Sequence, residues 1–272
     1  MSNDEHVTVA VAGLGAIGMA VARRLDEGVP GLRLTAVSAR DQNRARDRVG
    51  DFRDPPAVAA AAALAEYGAV VVECAPAAVF ETIAEPALRA GRILVPASVG
   101  ALLARPDLID LASASGGRIL VPTGALLGLD AVRAAAEGTI ERVTMITRKP
   151  PASLAGAPYL VEHGIRLDDL RAPLKVFDGS ARDGARGFPA NVNVAAALSL
   201  AGVGPDQTRL EIWADPALSR NTHDIVVDAD SARLTMTIEN VPSADNPRTG
   251  RITALSVIAA LRGLVGPIRV GT

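Results

Sequence analysis

The chain has 272 residues, with 28 basic and 30 acidic side chains and a formal net charge of −2. This balance offers no excess of positive charge to phosphate backbones or anionic lipid, so we expect neither nucleic acid nor a membrane as a partner. A single cysteine excludes an intramolecular disulfide and a cysteine-rich zinc site, and no metal site is expected. A polar start without an export signal, and no apolar run of roughly 18 residues, predict a cytoplasmic protein.

Hydrophobic residues make up 49% of the chain and aromatic residues only 3%. Long stretches of Ala, Val and Leu are typical of helices packed on a parallel sheet, and they argue against an all-β sandwich. The length is more than one ordinary domain needs, so we expect two lobes that share one substrate cleft.

The first half of the chain alternates between apolar strands and helical patterns. The predicted strands are residues 7–12, 32–38, 69–74, 92–96 and 118–121. The predicted helices between them are residues 19–25, 56–65, 77–90 and 99–113. Such alternation indicates an α/β fold, with parallel strands joined by right-handed crossovers in a Rossmann-type, doubly wound sheet.

After about residue 140 the pattern changes to strands with few helices. We predict strands at residues 141–148, 208–214, 224–228 and 233–239, one helix at 192–201 and a last helix at 252–264. Leu234, Met236 and Ile238 alternate with polar residues, which indicates a mainly antiparallel sheet with one wet face in an α+β second lobe. A sheet with few covering helices also suggests a homodimer.

A glycine motif joins the first strand to the first helix. In Gly13-x-Gly15-x-x-Gly18 the first glycine permits a tight turn, the second lets a pyrophosphate approach, and the third lets the helix pack on the strand. The N–H groups at the helix start, including those of Ala16 and Ile17, would face the phosphates. The motif therefore predicts an NAD or NADP site.

Two further strand ends belong to this predicted site. After the second strand, Ser38 and Arg40 favour NADP, whereas Asp41 could serve NAD, so we expect both cofactors to be accepted. Cys74 and Ala75 follow a parallel strand at its carboxyl end, where ligands bind, and we interpret Cys74 as cofactor-proximal backbone and not as a nucleophile.

Several runs in the second half resemble the L-aspartate dehydrogenase family. They are Pro122-Thr123-Gly124-Ala125, Thr147-Arg148-Lys149-Pro150-Pro151, Gly187-Phe188-Pro189-Ala190-Asn191-Val192-Asn193, Asn221-Thr222-His223-Asp224 and Asn246-Pro247. The resemblance implies NAD(P)-dependent oxidative deamination of L-aspartate to oxaloacetate and ammonia through iminoaspartate. It also implies that His223 is the catalytic histidine, that Ala125 and Asn193 lie beside the cofactor, and that NAD biosynthesis is one route that could use the product.

The residues themselves give partial support to these roles. His223 begins a strand, and an unperturbed histidine pKa of about 6.5 suits a general base, although a strand-end histidine is often only a surface residue. Arg148 and Lys149 could bind the substrate carboxylates or could be a solvated strand end. Asn191 and Asn193 begin a helix, so one of them could be an N-cap while the other binds a ligand.

The sequence thus predicts a dinucleotide-binding domain at residues 1–125, completed by 246–272, and a substrate, catalytic and oligomerisation domain at 126–245. Two alternatives remain open. One is another two-lobe NAD(P)-dependent reductase, similar to dihydrodipicolinate reductase, homoserine dehydrogenase or a sugar dehydrogenase. The other is a non-catalytic dinucleotide-sensing protein that keeps the fold.

Overall fold

The computed structural model describes residues 6–244, 246 and 249–271. The polar leader at residues 1–5 and Pro247 of the Asn246-Pro247 motif lie outside the described residues. The chain divides into two compact units. The first contains the described residues up to Ser98, then Ala104–Pro122 and Thr253–Arg269; the second contains Val99–Leu103, Thr123–Ile252 and the last described residues from Val270. Whether these units behave as separate domains remains a prediction.

A six-stranded parallel sheet forms the centre of the first unit, with strand order β3-β2-β1-β4-β5-β6. Its strands are β1 (Val7–Ala12), β2 (Leu32–Ser38), β3 (Ala57–Val58), β4 (Val70–Glu73), β5 (Ile93–Pro96) and β6 (Arg118–Ile119). Every residue of β4 is buried, which requires both faces of the sheet to be covered. The predicted doubly wound sheet is therefore confirmed.

The helices of the first half are α1 (Ala16–Asp26), α2 (Gln42–Val49), α3 (Leu64–Tyr67), α4 (Phe80–Arg89), α5 (Val99–Leu103) and α6 (Asp107–Ser115). The helix predicted at 56–65 is wrong for most of its length. Ala57 and Val58 instead pair with β2, and only a 3₁₀ turn (Ala61–Ala63) and the short α3 follow, because edge pairing outweighs the helix propensity of alanine. The single helix predicted at 99–113 is two helices, since Pro106 has no N–H to continue a helix.

The second unit is built on a five-stranded sheet with strand order β11-β10-β7-β9-β8. Its strands are β7 (Ile140–Lys149), β8 (Leu174–Ser180), β9 (Thr208–Ala214), β10 (Thr222–Ala229) and β11 (Arg233–Glu239). Three neighbouring pairs are antiparallel, as expected, whereas β7 and β9 are parallel. Strand β8 was not expected from the sequence.

This unit also has more helices than the sequence indicated. They are α7 (Leu129–Ala136), α8 (Pro151–Leu154), α9 (Pro158–Glu162), α10 (Ala181–Gly187) and α11 (Asn193–Ala201). One face of the sheet is packed in a hydrophobic core, where Val143 and Met145 of β7 meet Val132 of α7 and Leu198 of α11 in one cluster. On β7 burial alternates from Val143 to Lys149, so successive side chains of this strand point to opposite faces.

The last helix, α12 (Arg251–Gly263), contributes Val257 and Leu261 to the core cluster of the first unit. Its other side is exposed, as the 61% exposure of Leu255 shows. This amphipathic arrangement agrees with the last helix expected from the sequence.

Candidate functional site

The first unit shapes its glycine turn from three glycines with three different constraints. Gly13 has φ +89°, a conformation that favours glycine, and a Cβ there would lie 2.6 Å from the carbonyl oxygen of Cys74. A Cβ on Gly18 would lie 1.8 Å from the carbonyl oxygen of Gly13, so α1 approaches the turn too closely for any side chain. Gly15 differs, because a Cβ there would meet no atom within 4 Å. The turn therefore leaves open space at its middle glycine.

The helix that follows this space begins with N–H groups that have no partner among the described residues. Gly15 is the N-cap of α1, no side chain caps the helix, and the first helical hydrogen bond runs from Met19 N–H to the Gly15 carbonyl at 2.9 Å. The N–H groups of Ala16 and Ile17 precede that bond. Such N–H groups, together with the positive end of the helix dipole, bind anionic phosphates. The open cradle thus fits a dinucleotide pyrophosphate.

An arginine that the sequence reasoning did not single out braces this turn. Arg48, in α2, donates a hydrogen bond from Nη1 to the Leu14 carbonyl at 2.5 Å. In the sequence it was one of several charges in residues 40–48, and only the packing of α2 identifies it.

The three polar residues at the end of β2 have different environments. Ser38 is buried, and its carbonyl accepts the Gly13 N–H at 2.7 Å. Asp41 is the N-cap of α2 and accepts the Arg44 N–H at 3.0 Å. Arg40 is exposed and makes no side-chain hydrogen bond or ion pair with any residue that the structure describes. Of these residues, Arg40 is the one that remains available to a ligand.

A buried carboxyl group organises the ends of β4 and β5. Glu73 Oε1 accepts the Ala75 N–H at 2.9 Å and the Ser98 hydroxyl at 3.0 Å, while Oε2 accepts the Ser98 N–H at 2.9 Å. Burial raises the pKa of Glu73, although these hydrogen bonds oppose the shift. Glu73 was not among the residues expected at the site, although an acidic residue at the end of an otherwise apolar strand is a usable signal in the sequence.

Cys74 and Ala75, the expected cofactor-proximal pair, lie directly against the glycine turn. The Cys74 N–H donates to the Ala12 carbonyl at 2.8 Å, and the Cys74 carbonyl and Ala75 nitrogen are the atoms that crowd Gly13. Burial, reinforced by the charge of Glu73, raises the pKa of the Cys74 thiol. The thiol is therefore a poor nucleophile.

In the second unit, His223 lies at the buried face of the sheet. Its Nδ1 lies 3.1 Å from the Thr147 hydroxyl oxygen, and each of the two residues is only 2% exposed. Thr147 and His223 are register partners on β7 and β10, which places them on the same face. Burial, and after it the charge of Lys149, lowers the pKa of His223 to about 3. This pKa lies below the unperturbed value of about 6.5 considered from the sequence, because desolvation opposes the imidazolium.

Lys149 shares this face, since it lies two residues beyond Thr147 on β7. The side chain is 5% exposed, so the solvated strand end considered from the sequence is wrong. Burial lowers the pKa of Lys149 to about 8. No hydrogen-bond acceptor or carboxylate pairs with its amine among the residues that the structure describes. A buried cation without a partner is costly, and such a group points to a ligand site.

Arg148 points away from these residues. As the neighbour of Thr147 and Lys149 on an alternating strand it lies on the opposite face, and its guanidinium lies 4.9 Å from the centre of the Trp213 ring. Arg148 and Lys149 therefore lie on opposite faces of the sheet, and a role for Arg148 in binding the substrate stays a prediction. The alternation of a strand already implied this separation.

The two predicted asparagines occupy the start of α11. Asn193 Oδ1 accepts the Gly100 N–H at 3.0 Å, so its side chain caps the neighbouring α5 and not its own helix. Its Nδ2 has no partner among the described residues and can donate to a ligand. The Asn191 N–H donates to the Phe188 carbonyl at 2.8 Å, and its side chain forms no hydrogen bond with the described residues.

Ala125 is held by a residue that the sequence reasoning missed. Asn240 donates from Nδ2 to the Ala125 carbonyl at 3.0 Å, and its buried Oδ1 has no partner in the described part of the chain. Asn240 is 4% exposed, and a Cβ on Gly250 would lie 2.8 Å from Oδ1. The side chain thus fixes the backbone of Ala125.

Within each unit the predicted residues gather as follows. The first unit brings together Gly13, Gly15, Ala16, Ile17, Gly18, Cys74 and Ala75, with Arg40 exposed at the end of β2. The second unit places His223 and Lys149 on one sheet face and Arg148 on the other. No cluster of three or more metal-ligating side chains occurs among the described residues. No helix in the same part of the chain is long and apolar enough to span a membrane.

Comparison with known proteins relates both halves of the chain to dehydrogenases. A family model described as "Aspartate dehydrogenase, C-terminal" matches residues 130–264, and one described as "Homoserine dehydrogenase, NAD binding domain" matches residues 13–122. The second match and the glycine cradle together assign a nicotinamide dinucleotide as the cofactor of the first unit.

Complete relatives give the same result. L-aspartate dehydrogenase 3 of Bordetella bronchiseptica is 57% identical over 273 residues, covering 100% of both chains. L-aspartate dehydrogenase of Bradyrhizobium diazoefficiens is 56% identical, covering 98% of this chain and 95% of the relative. The crystal structure of aspartate dehydrogenase from Thermotoga maritima has the same fold, with a TM-score of 0.74 at 24% identity over 98% of this chain and 100% of that one. The chain therefore belongs to the L-aspartate dehydrogenase family.

Proposed function

We propose that this protein catalyses the NAD(P)-dependent oxidative deamination of L-aspartate to oxaloacetate and ammonia through iminoaspartate. The observation that carries the proposal is the pair formed by His223 and Lys149, a buried imidazole and a buried unpaired amine on one sheet face. The names of the relatives, each an L-aspartate dehydrogenase, supply the substrate.

The first unit would hold the cofactor. Gly13, Gly15 and Gly18 shape the cradle, and the N–H groups of Ala16 and Ile17 would bind the pyrophosphate. When bound, the nicotinamide would accept the hydride that leaves the substrate Cα. From the family resemblance we also assign to the cofactor Ala125, whose carbonyl accepts a hydrogen bond from Asn240, and Asn193, whose Nδ2 has no partner among the described residues.

The choice between NAD and NADP depends on the end of β2. Asp41 already serves as a helix cap, whereas Arg40 is exposed and able to pair with a 2′-phosphate. We propose that the protein accepts both dinucleotides and that Arg40 favours NADP.

The second unit would bind the substrate through the buried sheet face. Lys149 and His223 present polar groups that can meet the ammonium and a carboxylate of L-aspartate, and Asn191 adds an amide without a described side-chain partner. We assign no contact on this face to Arg148, because its guanidinium stacks on Trp213 at the opposite face. The homodimer, the cytoplasmic location and the route that uses the product stay predictions from the sequence.

The test is the formation of NADH and of NADPH with L-aspartate, D-aspartate, L-glutamate and homoserine as substrates. We expect reduction of both cofactors with L-aspartate alone, and His223→Ala should lower kcat by about 10² to 10⁴ with little change in cofactor affinity. Turnover of homoserine and not of L-aspartate would favour the reductase alternative. Cofactor binding without turnover of any substrate would favour the sensing alternative.

A further inference from the structure

The hydrogen bond between the Thr147 hydroxyl and His223 Nδ1 bears on which imidazole nitrogen carries the proton. The Thr147 hydroxyl is buried, and His223 Nδ1 is its one partner among the described residues. A buried hydroxyl must donate its proton to an acceptor or lose a hydrogen bond. Nδ1 is the acceptor that the described residues offer, so we assign the Thr147 hydroxyl as the donor and Nδ1 as the acceptor. The proton of the neutral imidazole is then on Nε2.

This tautomer, and the charge state, limit what His223 can do. Burial and the neighbouring Lys149 hold the pKa of His223 at about 3, so the ring stays neutral near pH 7. An imidazole with its proton on Nε2 and its Nδ1 engaged by Thr147 has no free lone pair for a substrate proton. It can donate a hydrogen bond from Nε2, as a neutral histidine does when it polarises a substrate oxygen.

Lys149 is the group on this face that can accept a proton. Its amine is diagonal to His223 across β7 and β10, a separation that a long side chain can span. Two ionisable groups that the structure describes lie at this end of the neighbouring strands. Asp224 follows His223 on β10 and so points to the opposite face, and Asp215 follows β9 and accepts the Ala217 N–H at 2.9 Å. Asp215 forms no ion pair with Lys149 among the described residues, and α11, which packs on this face, has no ionisable side chain.

Desolvation favours the neutral amine form of Lys149. Its pKa of about 8 lies well below the ordinary lysine pKa of about 10.4, so at mildly alkaline pH a large fraction of the side chain is a free base. A general base is most effective when its pKa lies near the working pH.

We propose that Lys149, and not His223, takes the proton from the substrate ammonium, while His223 donates a hydrogen bond to the substrate from Nε2. This inference rests on the proposed function. In the step, an N–H bond of the substrate ammonium breaks and an N–H bond forms at Nζ. The electron pair left on the substrate nitrogen would form the C=N bond as Cα loses a hydride, which a bound nicotinamide would accept. Lys149 returns the proton to solvent after the product departs.

Kinetics of matched variants separate a base from a simple carboxylate ligand. In the wild-type enzyme kcat/KM for L-aspartate should rise with pH through an apparent pKa near 8. Lys149→Arg keeps the charge but cannot release a proton near that pH, so it should lower kcat by about 10² to 10⁴. It should also remove the limb of the pH profile near pH 8, that is, the rise of kcat/KM with pH. His223→Gln should be slow but keep the limb. Retention of the limb in Lys149→Arg, or its loss in His223→Gln, would overturn the proposal.

Nuclear magnetic resonance of the ¹⁵N-histidine-labelled wild-type enzyme gives a readout that needs no activity. The chain has three histidines, and the His223→Gln spectrum identifies the signal of interest. We expect Nε2 protonated and Nδ1 unprotonated from pH 8 to pH 5, a pattern that Thr147→Ser keeps and Thr147→Val loses. A proton on Nδ1, or titration near pH 6.5, would overturn the role assigned to His223. If the tautomer is as expected but L-aspartate is not oxidised, the proposed function fails and the tautomer stands.

Discussion

At the scale of single residues, the second unit owes its chemistry to desolvation. The same face of β7 that buries Val143 and Met145 also buries Thr147 and Lys149, and it faces His223 on β10. Burial on this sheet face disfavours charged side chains. The pKa values of Lys149 and His223 are therefore both lowered, which favours the neutral base form of each group. Polar groups in this setting reduce stability, and such a cost is typical of functional sites.

The first prediction concerns the acid stability that His223 controls. Its pKa is about 3 in the native state and about 6.5 when unfolded, so between these values the unfolded chain binds a proton that the native state does not. Stability is therefore lost as the pH falls below about 6.5. His223→Asn removes this contribution and should reduce the loss by about 1 kcal/mol for each pH unit.

Urea unfolding at pH 7.5 and pH 5.0 measures the free energy of unfolding for both proteins. His163→Asn changes an exposed histidine and is the matched control, which should follow the wild type. Identical pH dependence in the wild type and His223→Asn would show that His223 is not desolvated as the structure indicates.

At the scale of elements, the strand-turn-helix unit at the start of the chain combines tight packing with one open position. Gly13 and Gly18 are crowded by backbone atoms, and Gly15 is not. The same residue type thus serves two purposes, because two glycines permit the fold and the third keeps space free at the N-terminus of α1.

The second prediction separates these purposes. Gly15→Val should fold normally but lose dinucleotide binding, because its side chain would fill the open space where the pyrophosphate is expected. Gly18→Ala should instead destabilise the fold, because its Cβ would lie 1.8 Å from the Gly13 carbonyl oxygen. Calorimetric titration with NADH and thermal melting of both variants provide the measurement. Unchanged NADH affinity in Gly15→Val would contradict the assignment of the cradle.

At the scale of the whole molecule, the first unit is discontinuous in sequence. Its sheet is complete by β6, yet α12, which begins more than 100 residues later, supplies Val257 and Leu261 to the same core cluster. The chain therefore leaves this unit, builds the second sheet and returns, so the stability of the first unit depends on residues near the carboxyl end.

The third prediction tests this dependence with two leucines of one helix. Leu261 is 1% exposed and Leu255 is 61% exposed. Leu261→Ala should lower the free energy of unfolding by about 2 to 5 kcal/mol through lost burial and a cavity, whereas Leu255→Ala should change it by less than about 0.5 kcal/mol. Urea unfolding, together with NADH affinity, gives the comparison. Equal effects of the two variants would show that α12 does not pack in solution as described.

Features that depend on local pattern follow from the amino-acid sequence alone. The alternation of apolar strands and helices predicts the parallel sheet, and the spacing of Gly13, Gly15 and Gly18 after a strand predicts the cradle, because these signals arise from backbone geometry within one short segment. The period-2 alternation of a strand is likewise sufficient to separate Arg148 from Lys149, because neighbouring side chains lie on opposite faces.

Features that depend on strands distant in sequence arise only when the chain folds. The register of β7 against β10 brings Thr147 to His223 across 76 positions of the chain, and no local pattern carries that register. Burial of Lys149 depends on the same sheet and its covering helices, so neither its unpaired amine nor the lowered pKa of His223 followed from residue type. The pKa of an ionisable side chain depends on how far folding removes it from water, and only the folded structure shows which side chains are buried.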